Sequence, residues 1–128
     1  MTDLQVMDIV RSLCSKLGIK LNEREVLQNM QAKDYPTTIK SWKNITIWID
    51  RDYISISHDE EVDVHYIYLS RCHIKEELPN INKRLKTVKN MNDYILLSSI
   101  ERQMRNALDD MLISGSNDYV FNHVGELC

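Results

Sequence analysis

The sequence predicts an α+β domain, an antiparallel three- to four-stranded β-meander flanked by N-terminal helices and a long C-terminal helix. Three observations predict it. From Ile45 to Leu69 apolar and polar residues alternate in three runs, ITIWI, YISIS and EVDVHYIYL, separated by the charged breaks RD and HDE. That is the period of half-buried strands. Residues 2–17 and roughly 93–114 instead repeat apolar residues at helical intervals. Gly18 and Gly115 then stand where a left-handed residue would end each helix.

The first helix carries Val6, Val10, Leu13 and Leu17 on one face, and Thr2 and Gln5 have the spacing of a capping box. Cys14 falls beside that stripe and reads as a small core side chain. Asn22 and Glu25 repeat the capping spacing ahead of Val26, Leu27 and Met30, a second helix that Asp34, Tyr35 and Pro36 should end. Thr37 to Trp42 favours an edge strand. A turn at Lys43 and Asn44 would place Trp42 opposite Ile45 and Ile39 opposite Trp48, a poor match of faces.

Parity sets the register of the meander. With Arg51 and Asp52 as a two-residue turn, Ile49 faces Ile54 and Ile47 faces Ile56 on one apolar side. If Val62, Val64, Tyr66 and Tyr68 are to join that side, the next connection must be odd. His58, Asp59 and Glu60 supply it, placing Ile56 opposite Val62 and Ile54 opposite Val64. The other face then carries Trp48, Tyr53, His65 and Ile67, with Tyr53 across from His65.

Beyond Leu69, residues 70–77 read as a polar connection. Pro79 suits the first turn of a short basic helix with Ile81, Leu85 and Val88 as its stripe. The longest helix should run from about Asp93 to Ser114 on Leu97, Ile100, Met104, Leu108 and Met111. Glu101 and Arg105 have ion-pair spacing on it. Asp109 and Asp110 oppose its dipole, so another contact must hold that end. The tail beyond Gly115 would pack as an extension or add a strand.

Length and composition bound the rest. The chain has 128 residues, 43% hydrophobic and 27% charged, with a formal net charge of −3. One domain, 1–128, is expected, without general disorder. No apolar run approaches the ~20 residues of a membrane helix. The acidic start MTDLQVMD is unlike a secretory signal. Cys14, Cys72 and Cys128 are odd in number and lack a C-x-x-C pair, which fits free thiols in a cytoplasmic protein. Charge is uneven: residues 71–105 carry eight Lys and Arg against four Asp and Glu.

Candidate chemistry is sparse. His58, Asp59, Glu60, Glu61, Asp63, His65, Cys72 and His73 form the densest set of ligand-type residues. On a continuous meander, however, His58 and His65 point differently, and adjacent Cys72 and His73 do not share a tetrahedral ion easily. A metal-dependent enzyme near His65 is therefore a minor alternative, and no cofactor is expected. Three glycines leave no material for a phosphate-cradling loop, and no serine stands in a nucleophile elbow. Lys83, Arg84, Lys86 and Lys89 offer the cations that nucleic-acid binding needs, but no aromatic residue is interleaved among them.

Trp48, Tyr53, His65 and Ile67 are residue types of interface cores. The reading that follows is a small non-enzymatic module that binds another protein through this face, of the inhibitor, immunity or accessory-factor kind. A second copy of the chain is an admissible partner, nucleic acid a less favoured one, and a membrane is not expected.

Overall fold

The computed structural model describes residues 2–33, 36–41, 44–58 and 64–121. Its elements in chain order are helices α1 (Asp3–Leu17) and α2 (Glu23–Gln31), strands β1 (Thr37–Lys40), β2 (Ile45–Ile49), β3 (Tyr53–His58) and β4 (Val64–Ser70), helices α3 (Arg71–Leu85) and α4 (Met91–Ser114), and strand β5 (Asp118–Val120). The strands form one antiparallel sheet in sequential order. Helices cover it from both sides. Among the described residues, no helix is long and apolar enough to cross a membrane.

The N-terminal helices form as their ends specify. Thr2 and Gln5 close a reciprocal capping box on α1, and Gly18 ends it at φ 68°. Asn22 caps α2 by accepting from the Glu25 amide at 3.2 Å. Arg11 ties the two helices together through the carboxylate of Glu23. Their apolar stripe, Val6, Val10, Leu13, Leu17, Val26 and Met30, packs with the isoleucines of β2 and β3 in one core, and Cys14 lies within it. α2 stops at Gln31, with Lys33 at positive φ. The stop expected at Asp34 and Tyr35 lies outside the described residues.

The β2–β3 hairpin has the register that parity predicts. Ile47 lies opposite Ile56, Ile49 opposite Ile54 and Trp48 opposite Ser55. The β1–β2 pairing differs, because Ile39 faces Ile47 and Thr38 faces Trp48. Asn44 adopts φ 60° and the Ser41 amide donates to the Ile45 carbonyl, so the connection is odd where a two-residue turn was expected. An asparagine can take this left-handed place with little cost. The shift brings Ile39 onto the isoleucine side, and the mismatch of faces disappears. Trp42 and Lys43 lie outside the described residues.

The β3–β4 register departs further from expectation. Ser57 pairs with Val64, Ile56 with His65 and Ser55 with Tyr66, after which a bulge shifts the ladder so that Ile54 pairs with Tyr68 and Tyr53 with Leu69. Val64 and Tyr66 therefore stand on the second face, while His65 and Ile67 share the isoleucine side. Tyr53 is across from Leu69 rather than His65. Val62, expected opposite Ile56, lies outside the described residues. The physical reason is double burial. Tyr66, Ile67, Tyr68 and Leu69 are all buried, Ile67 and Tyr68 in the core under α1 and α2, Tyr66 and Leu69 in the core under α3 and α4. A strand covered on both sides is apolar throughout, and the bulge reassigns residues between its faces.

α3 begins at Arg71, so residues 71–77 are its first two turns and not a connection, and Pro79 sits inside the helix. Ser70 caps it, accepting from the His73 amide at 3.1 Å. Ile74 and Ile81 are buried, with Leu78 and Leu85 packed against them, a stripe of helical spacing that starts four residues after the cap. α4 follows an Asn90 cap and ends at Gly115, φ 73°. Leu97, Met104, Ala107 and Met111 are its buried stripe, and Arg105 pairs with Glu101 at 2.6 Å. Its unfavourably charged C-terminal end is closed by Gly115, whose amide donates to the Met111 carbonyl, and the Tyr119 hydroxyl is raised in pKa by nearby Asp110. The tail adds β5 against β4.

Candidate functional site

The second face of the sheet is covered unevenly, because α3 and α4 pack chiefly on β4 and β5. Over β2 and β3 that face is less closely packed by the described helices, with Trp48 and Ser57 half-buried and Thr46 and Ser55 buried, and its side chains step down in size. Ser55 lies between Trp48 and Tyr66 across the ladder, and Ser57 lies next to Val64. Two serines at alternate positions of a strand thus leave a depression where larger residues would have filled the space.

The result is a cleft of about 710 Å³. Its floor is Trp48, Tyr53, Ser55, Ser57, Val64 and Tyr66 from the sheet. α3 supplies one wall with His73, Glu76, Glu77, Ile81 and Arg84. α4 contributes Leu97, Ile100 and Met104, and the β2–β3 turn contributes Asp50 and Asp52 at the rim.

Local hydrogen bonds position these groups. The Trp48 indole N–H donates to Ser57 Oγ at 2.9 Å, which fixes the ring plane while leaving the side chain half-buried. The Ser70 hydroxyl donates to Asp52 Oδ1 at 3.2 Å and its amide donates to the Asp52 carbonyl at 2.8 Å, so the turn and the start of α3 are locked together through the helix cap. Tyr53, Tyr66 and His73 cluster: the two tyrosine rings meet edge to face at 6.0 Å, and Tyr53 lies 4.9 Å from the imidazole.

Electrostatics on this side are negative. Burial raises the Tyr53 hydroxyl above its ordinary pKa, and Asp50 and Glu77 add to the shift. Burial also pushes Tyr66 upward, with smaller contributions from Tyr53 and Glu77. The ion pairs found among the described residues, Arg11 with Asp8 and Glu23 and Arg105 with Glu101, involve none of the cleft carboxylates.

The four residues proposed from sequence as one contact face separate here. Trp48 and Tyr53 line the cleft. Ile67 is 2% exposed in the core beneath α1 and α2, and His65 shares that side of the sheet by its pairing with Ile56. Glu76, Glu77, His73 and Arg84 join the site because their stretch is helical. The signal that marks them is Ser70 followed by Ile74, Leu78, Ile81 and Leu85, which reads as a capped amphipathic helix.

Lys83, Arg84, Lys86 and Lys89 are all exposed. Arg84 reaches the mouth of the cleft, whereas Lys86 shares a shallow depression with Tyr94, Arg102 and Arg105. Among the described residues, no three of His, Cys, Asp and Glu converge in a way that could hold a metal ion. Asp59, Glu60, Glu61 and Asp63 lie outside them, as does Cys128. Cys14 is buried and Cys72 exposed, both as free thiols. No family model matches the chain, and no curated protein or solved structure matches it.

Proposed function

We propose that this chain is a non-enzymatic protein-binding module of the inhibitor, immunity or accessory-factor kind, acting in the cytosol, and that it seats part of its partner in the cleft over β2 and β3. One observation carries the reading. Trp48 and Tyr53 are left half-buried on a sheet face whose other half is sealed by α3 and α4. Large aromatic side chains held rigidly in a concavity are the usual anchors of protein interfaces. The three scattered cysteines and the lack of any membrane-length helix among the described residues support the cytosolic assignment.

The test is capture of the native partner from source cells by the full chain, compared with a Trp48→Ala/Tyr53→Ala double variant whose circular dichroism is unchanged. Removing two such anchors should weaken binding by about 30-fold or more. Retention of the same partner at the same affinity would overturn the assignment. Nucleic-acid binding is the second reading, favoured by the placement of Lys86 and Arg102 around half-exposed Tyr94. No oligonucleotide binding at low salt would remove it.

A further inference from the structure

The structure points to a cationic peptide segment as the occupant of the cleft: an extended stretch of the partner carrying lysine or arginine beside an apolar residue. This inference rests on the protein-binding reading and adds the chemistry of the partner.

The rim and the floor make different demands. Asp50 and Asp52 on the β2–β3 turn and Glu76 and Glu77 on α3 line the same cleft, with Arg84 the cation among them. Both groups lie near Tyr53, whose hydroxyl is raised first by burial and further by the charges of Asp50 from the turn and Glu77 from the helix. Carboxylates set around a concavity with apolar walls focus their field into it and favour a positively charged occupant.

Below the rim lie the half-buried Trp48, Tyr53 and Val64 of the floor, which offer apolar contact and little to a charge. A small polyamine would satisfy the rim and leave this floor in water. An acidic apolar segment would use the floor and be repelled at the rim. A lysine or arginine flanked by an apolar residue meets both demands, because its aliphatic stem packs while its head reaches the carboxylates.

The experiment uses the full chain labelled with ¹⁵N and a blocked peptide of alternating lysine and leucine as probe. The indole N–H of Trp48 and the amide of Tyr66 are the reporters. The lysine–leucine peptide should shift both resonances saturably, with affinity falling as salt is raised. Glu76→Gln/Glu77→Gln should weaken binding about tenfold, as should Asp50→Asn should the double variant fold poorly. Equal binding of a glutamate–leucine peptide, equal binding of spermine, or unchanged affinity in the charge variants would each overturn the assignment of a cationic segment. None of these results would alter partner capture by the Trp48 and Tyr53 pair, so the charge inference fails separately from the protein-binding reading.

Discussion

Gln103 shows how much one side chain can do in this fold. Among the described residues β5 pairs with β4 over Tyr68 to Ser70, with Phe121 adding one more backbone bond to Ile67. The edge of β4 at Val64 and Tyr66 would then be an open row of backbone groups under a helix, which costs free energy unless it is satisfied. Gln103 on α4 fills the gap, its Oε1 accepting from the Tyr66 amide at 2.8 Å and its Nε2 donating to the Val64 carbonyl at 2.7 Å. The side-chain amide thus imitates a neighbouring strand for one residue pair. Gln103→Ala strands both groups beneath α4, and loss of stability of about 2 kcal/mol is expected in urea unfolding. Gln103→Glu, which can accept from Tyr66 but cannot donate to Val64, should fall between the two. Equal stability of Ala and Gln at this position would mean that water satisfies that edge.

At the scale of elements, α3 runs through a residue that opposes it. Pro79 lies in the helix interior and is exposed, so the Lys75 carbonyl lacks its usual donor while no packing contact is at stake. Pro79→Ala should therefore stabilise the protein by about 1 to 3 kcal/mol, read as a higher denaturation midpoint with an unchanged slope. A loss of stability would show that the backbone geometry fixed by Pro79 is needed to seat Ile81 and Arg84.

The same proline explains why the start of α3 was hard to read in sequence, since it suggests a first turn and draws attention away from Ser70. Elements with marked ends were legible: α1 carries the expected caps at both its ends, α2 its Asn22 cap and α4 its Gly115 stop, and the isoleucine ladder of β2 and β3 follows from alternation alone. α4, however, starts at Met91 on an Asn90 cap that was not anticipated from sequence. β4 was legible as a strand but not in its register. A run such as Tyr66-Ile67-Tyr68-Leu69 is apolar on both faces, so alternation carries no information there, and a bulge leaves no local signature. Half of the candidate site was accordingly visible, Trp48 and Tyr53 on β2 and β3, while the wall from α3 depended on a helix start that pattern alone placed too late.

The molecule as a whole is a sheet between two helical pairs, and its pH response should reveal how firmly the layers close over β4. Tyr66 and Tyr68 point into opposite cores from this one strand. Burial raises the hydroxyl pKa of both well above the ordinary value of 10.0, and for Tyr68 the hydrogen bond to Asp118 Oδ1 at 2.5 Å and the charge of that carboxylate add to it. The folded state therefore keeps these protons at a pH where the unfolded chain releases them. Where the folded pKa is the higher one, stability is fully present below the unfolded value near 10 and is lost as pH rises beyond it. Each tyrosine contributes a slope of up to about 1.4 kcal/mol per pH unit in that window. Denaturation midpoints measured from pH 8 upward should hold nearly level to about pH 10 and then fall. Tyr66→Phe keeps the ring contacts with Tyr53 and removes only the titrating proton, so its curve should fall less steeply above pH 10 while matching wild type near neutrality. If the two curves run parallel throughout, Tyr66 ionises as freely in the folded protein as in the unfolded chain, and the layer of α3 and α4 over β4 is open to hydroxide.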